Sequence, residues 1–189
     1  MSTIRTFIAI ETPPEIHRRI ADLMNRLRRA DADVKWVAPE QMHWTIKFLG
    51  NVDDHEIHEV CRAVEDCVEP FTPFDLTVSG VGAFPTPDRP RTLWIGATNG
   101  AEALGILAGS VEKALAQLGY PKEHRRFTAH LTLGRVHTGR NAQALAQLLK
   151  ENAEFDAGTM GVDEVVVFSS RLEPEGAVHE ALGRAPLMG

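Results

Sequence analysis

A chain of 189 residues is long enough for one generous domain or two small, tightly joined lobes. Its composition, 43% hydrophobic and 24% charged, is that of a soluble globular protein, and no apolar run approaches the roughly 18 residues that a membrane span needs. The net charge of -6 argues against coating long nucleic acid by counterion release, yet leaves room for a small basic pocket around one phosphate.

The N-terminal stretch MSTIRTFIAIETPPE has neither a secretory apolar region nor a small-residue cleavage site, so Arg5 to Ile10 reads as the first, buried strand. Thr12 before Pro13 marks a helix start, with the threonine hydroxyl as cap. Ile16, Ile20, Leu23 and Leu27 then form one helical stripe reaching about Ala30. Val34 to Val37 is a short strand, Pro39 breaks it, and Gln41 to Gly50, QMHWTIKFLG, alternates as a half-buried strand. Asp53 and Asp54 open a helix whose Ile57, Val60, Val64 and Val68 share a face, and Pro70 ends it. Cys61 and Cys67 lie in that helix at a spacing that fits no metal or redox motif, as expected of reduced thiols in the cytoplasm. Phe74 to Val81 is a further strand.

Gly82 to Arg91, rich in Pro and Gly, is expected to be a loop or linker. After it the order repeats: a strand from Arg91 to Gly96, a helix from Ala101 to Leu118, and a strand from Phe127 to Val136. A helix over about Asn141 to Glu151, a strand at Val165 to Phe168 and a hairpin turning at Pro174-Glu175-Gly176 complete the chain. Arg5-Thr6 and Arg91-Thr92 are offset by 86 residues, His43 and His130 by 87. One domain over 1–189, built from approximate repeat halves 1–85 and 86–189 that can interleave, accounts for this.

Of the eight histidines, only His43 and His130 are followed two residues later by threonine, with apolar residues between and after. Residues i and i+2 of a strand share a face. His43, Thr45 and Lys47 therefore point one way, with Trp44, Ile46 and Phe48 towards a core. His130 and Thr132 likewise point away from Leu131 and Leu133. One such strand is a weak signal; two at matching positions of a repeat would bring four side chains to one cleft. Two histidines can serve as acid and base near neutral pH, and threonine hydroxyls can donate to phosphate oxygens as charge builds there. A zinc site is the poorer reading, because no third ligand stands at a metal-binding spacing with either histidine. Trp36, Trp44 and Trp94 read as core, and His17, His55, His58, His124 and His137 as surface histidines.

HWTI and HLTL resemble the paired HxTx signature of the 2H phosphoesterase superfamily. RTFIAIETP, HWTIKFLG, GAFPTPDRPRTLWIG, FTAHLTLGRV and SSRLEPEGAVHE resemble successive blocks of its LigT/ThpR family, in order and over nearly the whole chain. The resemblance implies an α+β, bilobal fold: two lobes related by a pseudo-twofold axis, each an antiparallel sheet with outer helices, and a central cleft between the sheets. It implies an RNA 2',3'-cyclic phosphodiesterase, also described as a 2'-5' RNA ligase, acting on RNA ends that carry a 2',3'-cyclic phosphate, tRNA fragments among the candidates. His43 would be the proton donor, His130 the proton acceptor, and Thr45 and Thr132 would hold the phosphate, without cofactor, metal or membrane.

Two positions depart from the family pattern, Ala129 where proline is frequent and His179 where tyrosine is usual. Lys47 is open between a phosphate ligand and a solvated lysine. Arg135 has the wrong parity for the cleft unless a bulge near Gly134 re-aims it, and the resemblance favours a phosphate role. Phe84 reads as a base-stacking residue or a loop anchor, and Arg125-Arg126 as an attraction for RNA. A chain that completes its own cleft is expected to be a monomer. The rival readings are a phosphodiesterase of small cyclic nucleotides and a non-catalytic RNA-end binding module.

Overall fold

The computed structural model describes residues 2–189. Nine strands form two antiparallel sheets. The first has the order β3-β1-β8-β9, with β1 at Thr3–Glu11, β3 at His43–Asp53, β8 at Glu164–Glu173 and β9 at Gly176–Pro186. The second has the order β2-β6-β5-β4-β7, with β2 at Val34–Trp36, β4 at Phe74–Thr86, β5 at Arg89–Ala97, β6 at His130–Val136 and β7 at Asp156–Val162. Four helices back them: α1 at Pro14–Arg28, α2 at Ile57–Val68, α3 at Ala101–Gln117 and α4 at Ala142–Glu151.

The stripes legible in the sequence are the buried faces. Ile16, Ile20, Leu23 and Leu27 of α1 and Val60, Val64 and Val68 of α2 are all essentially inaccessible. What the stripes face is less obvious. α1 follows a strand of the first sheet but packs on β7 and α4 behind the second. α3 follows a strand of the second sheet but packs on β3 and α2 behind the first. Strands exchange too: β2 and β4, from the first half of the chain, belong to the second sheet, while β8 and β9 close the first.

Several local expectations need correction. Gly82 to Arg91 is no loop: β4 continues to Thr86 and β5 begins at Arg89, with Phe84 opposite Thr92 and Pro85 opposite Pro90. β7 accompanies β4 only as far as Ser79, and β6 accompanies β5 only from Thr92. The prolines thus lie in a two-stranded extension where no third strand needs their missing N–H groups. Thr12 does not cap α1. Pro13 holds the cap position, and the Thr12 hydroxyl is buried without a partner. β7, DAGTMGV, was not anticipated, because its two glycines and lack of strong alternation hide the strand period.

Candidate active site

In β3, Glu11 of β1 lies opposite His43, Ile10 opposite Trp44 and Ala9 opposite Thr45. The next pairs are Ile8 with Lys47 and Phe7 with Phe48, so Ile46 has no partner and forms a β-bulge. Up to the bulge the alternation is as expected, with Trp44 buried and His43 and Thr45 on the open face. Beyond it the parity reverses. Phe48, expected in the core, is 64% exposed on the cleft face, and Lys47 is 3% exposed on the helix side. There the Lys47 ammonium donates to Glu112 Oε1 at 2.7 Å and to the Pro121 carbonyl at 2.7 Å. Lys47 is therefore no solvated lysine: its ammonium is held by a carboxylate and a carbonyl, while the residue also borders the cleft that His43 lines.

The strand of the second motif is built the same way. Gly96 lies opposite His130, Ile95 opposite Leu131 and Trp94 opposite Thr132; then come Leu93 with Gly134 and Thr92 with Arg135, leaving Leu133 unpaired. The reversal carries Arg135 onto the His130 face, as its sequence position required, with Leu133 as the bulged residue. Gly134 takes the opposite side, close under β2, where a Cβ would come 2.7 Å from Val34 Cγ1 and 3.0 Å from the Lys35 carbonyl. Trp94 belongs to the face of Thr132 and packs on Phe84, so it is not the core residue expected.

Both histidines are held by the carbonyl two residues upstream. His43 Nδ1 donates to Gln41 O at 2.9 Å, and His130 Nδ1 donates to Thr128 O at 2.7 Å. A carbonyl can only accept, so each Nδ1 carries hydrogen and each Nε2 is left to give or take a proton. His43, Thr45, His130, Thr132 and Arg135 line one cleft of about 740 Å³. Behind His43 its wall is apolar, Phe7, Ala9, Val166 and Phe168, with the Phe168 ring 4.9 Å from the imidazole. This burial pushes the His43 pKa below the ordinary histidine value; the Gln41 carbonyl and Glu11 oppose it, while His179 and His17 add to it.

A family model described as LigT like Phosphoesterase matches the chain twice, over residues 10–94 and 95–179. The chain belongs to the LigT family of 2H phosphoesterases. It is 33% identical to the RNA 2',3'-cyclic phosphodiesterase of Methanothermobacter thermautotrophicus over 176 residues, 93% of this chain and 95% of that protein. It is 31% identical to the protein of the same name from Thermotoga maritima, over 95% of this chain and 93% of that one. The crystal structure of E. coli LigT in apo form superposes with a TM-score of 0.81 at 23% identity, covering all of both chains.

Within this LigT-family cleft, His179 was not singled out as a site residue. It stands on β9 with its ring 5.4 Å from that of His43 and 5.0 Å from Phe7, its Nδ1 buried without a partner. Burial lowers its pKa. The one signal in the sequence was its place in the C-terminal block where tyrosine is usual. His17 is also no simple surface histidine, since its Nε2 is buried and unpartnered, whereas His55, His58, His124 and His137 are exposed. Among the described residues, no three His, Cys, Asp or Glu side chains form a cluster fit for a metal.

Phe84, inside β4, stands edge-on to His130 with ring centroids 5.3 Å apart, so it packs on the imidazole and is not a loop anchor. It opens onto a second cavity of about 750 Å³ that shares Thr45 and His130 with the first. Arg125 and Arg126 line that second cavity.

Proposed function

We propose that this LigT-family protein hydrolyses RNA 2',3'-cyclic phosphate ends to 2'-phosphates, by acid-base catalysis between His43 and His130 that needs no metal. The observation that carries the reading is that the two His-x-Thr strands line one cleft, each histidine held through Nδ1 with its Nε2 free. The name shared by relatives about 30% identical over most of the chain supports the substrate class.

His130 Nε2 takes a proton from water as the water oxygen attacks phosphorus. The bond from phosphorus to O3' breaks, and His43 Nε2 gives its proton to the departing oxygen. The products are a free 3'-hydroxyl and a 2'-phosphate, and solvent resets the two imidazoles. Thr45 and Thr132 donate to the non-bridging oxygens, where charge grows in the transition state, and Arg135 on the same face supplies a fixed positive charge. The desolvated His43 is scarce in its charged form but is a strong acid when protonated. The phosphate anion counters that scarcity by favouring the imidazolium. Run in reverse, with a 5'-hydroxyl RNA end in place of water, the same groups form a 2'-5' linkage. Because one chain supplies both motifs, the protein acts as a monomer, with cytoplasmic RNA ends such as tRNA fragments as its substrates. No helix among the described residues is long and apolar enough to cross a membrane.

The test is a short oligonucleotide with a 2',3'-cyclic end, incubated in EDTA beside a 2',3'-cyclic mononucleotide. Turnover of the oligonucleotide to a 2'-phosphate is expected. A 3'-phosphate product overturns the assigned roles, and activity abolished by EDTA overturns the metal-free mechanism. Faster turnover of the mononucleotide moves the substrate class to small cyclic nucleotides. Binding without turnover leaves an RNA-end binding module.

A further inference from the structure

Residues 118–129 join α3 to the catalytic strand β6 without regular structure of their own. Leu118, Gly119 and Tyr120 still bond back to the last turn of α3, through Leu115 O and Ala116 O. From Pro121 to Thr128, three hydrogen bonds hold the segment among the described residues. Lys47 Nζ donates to Pro121 O at 2.7 Å, the Glu123 amide donates to Glu112 Oε1 at 2.7 Å, and His130 Nδ1 donates to Thr128 O. The first two meet at one ion pair, Lys47 with Glu112, whose side chains are 2% and 19% exposed.

That pair stands at a junction. Lys47 comes from β3, two residues past Thr45, and reaches the helix side of the sheet because the Ile46 bulge reverses the parity. Glu112 comes from α3, the helix that follows a second-sheet strand but backs the first sheet. The segment that both grip leads past Arg125 and Arg126 into His130. A buried ammonium is costly unless paired, and here its charge is committed to a carboxylate and a carbonyl that belong to different elements.

We propose that Lys47 and Glu112 are a positioning pair: they tie the strand of His43 and Thr45 to the segment that delivers His130, and so set where the acceptor stands relative to the donor. In this role both act through the placement of the histidines and not on the phosphate itself. The inference rests on the acid-base reading given above. Misplacing a catalytic group by about 1 Å is enough to cost a rate of order 100-fold.

The test compares Lys47→Met/Glu112→Leu, which removes both charges and leaves neither orphaned, with Glu112→Gln, which keeps an acceptor near Lys47 and the Glu123 amide. Replacing a buried ion pair by apolar residues of similar size is often neutral for stability, so the double variant is expected to fold. Its backbone NMR order parameters over Lys122 to Ala129 should fall below the wild-type values. Its kcat should fall about 30- to 100-fold with KM changed less than about threefold. Glu112→Gln should give smaller changes in the same directions. If both variants keep wild-type order parameters in this segment, or order falls while kcat holds, the positioning role is wrong. If the wild type fails to turn over the cyclic end, the functional reading falls by itself, while the order parameters still decide whether the pair holds the segment.

Discussion

Ile46 and Leu133 are equivalent: each is the third residue after a motif histidine, and each is skipped in the pairing directly after its His-x-Thr. A bulge at this point lets His and Thr share the cleft face and then changes which side of the sheet the chain addresses. In the first strand the change releases Phe48 to the cleft and sends Lys47 to the helices. In the second it brings Arg135 into the cleft and puts Gly134 beneath β2.

If His43 and His130 are acid and base, His43→Ala and His130→Ala should each lower kcat by at least ~100-fold on a 2',3'-cyclic oligonucleotide. Circular dichroism and melting should stay near wild type, because neither ring is part of the main core cluster. Full activity in both variants would remove the two-histidine mechanism altogether.

The same mechanism needs His43 protonated and His130 neutral, so kcat/KM should be bell-shaped in pH. Burial lowers the pKa of His43, which places one limb of the free-enzyme profile below the ordinary histidine value of 6.5. Phe168→Ser, which opens the apolar wall beside the ring, should move that limb up. A limb that stays put in this variant would show that the wall does not govern the titration.

Stability should also fall on mild acidification. His17, His43 and His179 all have folded-state pKa values lowered by burial, so the unfolded chain binds more protons near pH 6. The stability held above pH 6.5 is lost as pH drops through the folded values. Urea midpoints between pH 7.5 and 5.5 should therefore decline, and the slope should shrink in a His17→Gln/His179→Gln variant. An unchanged slope would mean that other groups carry the effect.

Gly134→Ala should destabilise the protein by about 1–3 kcal/mol, because the new methyl meets Val34 Cγ1 and the Lys35 carbonyl in a packed seam. A shift of the urea midpoint with constant slope is the measurement. Since the strain sits beside Arg135, KM should rise as well. A variant as stable as wild type would show that β2 yields freely.

The parts of the site legible in the sequence were those carried by strict period-two spacing. His43 with Thr45 and His130 with Thr132 obey it, because both pairs precede the bulge. Lys47 and Phe48 come after it, and counting by twos put each on the wrong side. No local residue announces the bulge at Ile46, an ordinary β-branched residue; only pairing with β1 reveals it. Arg135 was placed by expecting a bulge, which Gly134 made plausible although Leu133 is the residue displaced. The helical stripes were plain, but a stripe does not name the sheet it covers. Nor could composition distinguish the Gly82 to Arg91 hairpin from a loop, since prolines mark both.

The crossed helices bear on how the cleft meets its substrate. To widen the gap between the sheets, the chain would have to pull α1 off β7 or α3 off β3, exposing Ile16, Ile20 and Leu23 or Leu104, Leu107 and Val111 to water. The two jaws are therefore braced against each other through their own backing. On the proposed reading, a terminal phosphate enters a cleft whose widening is coupled to the cost of baring these buried side chains.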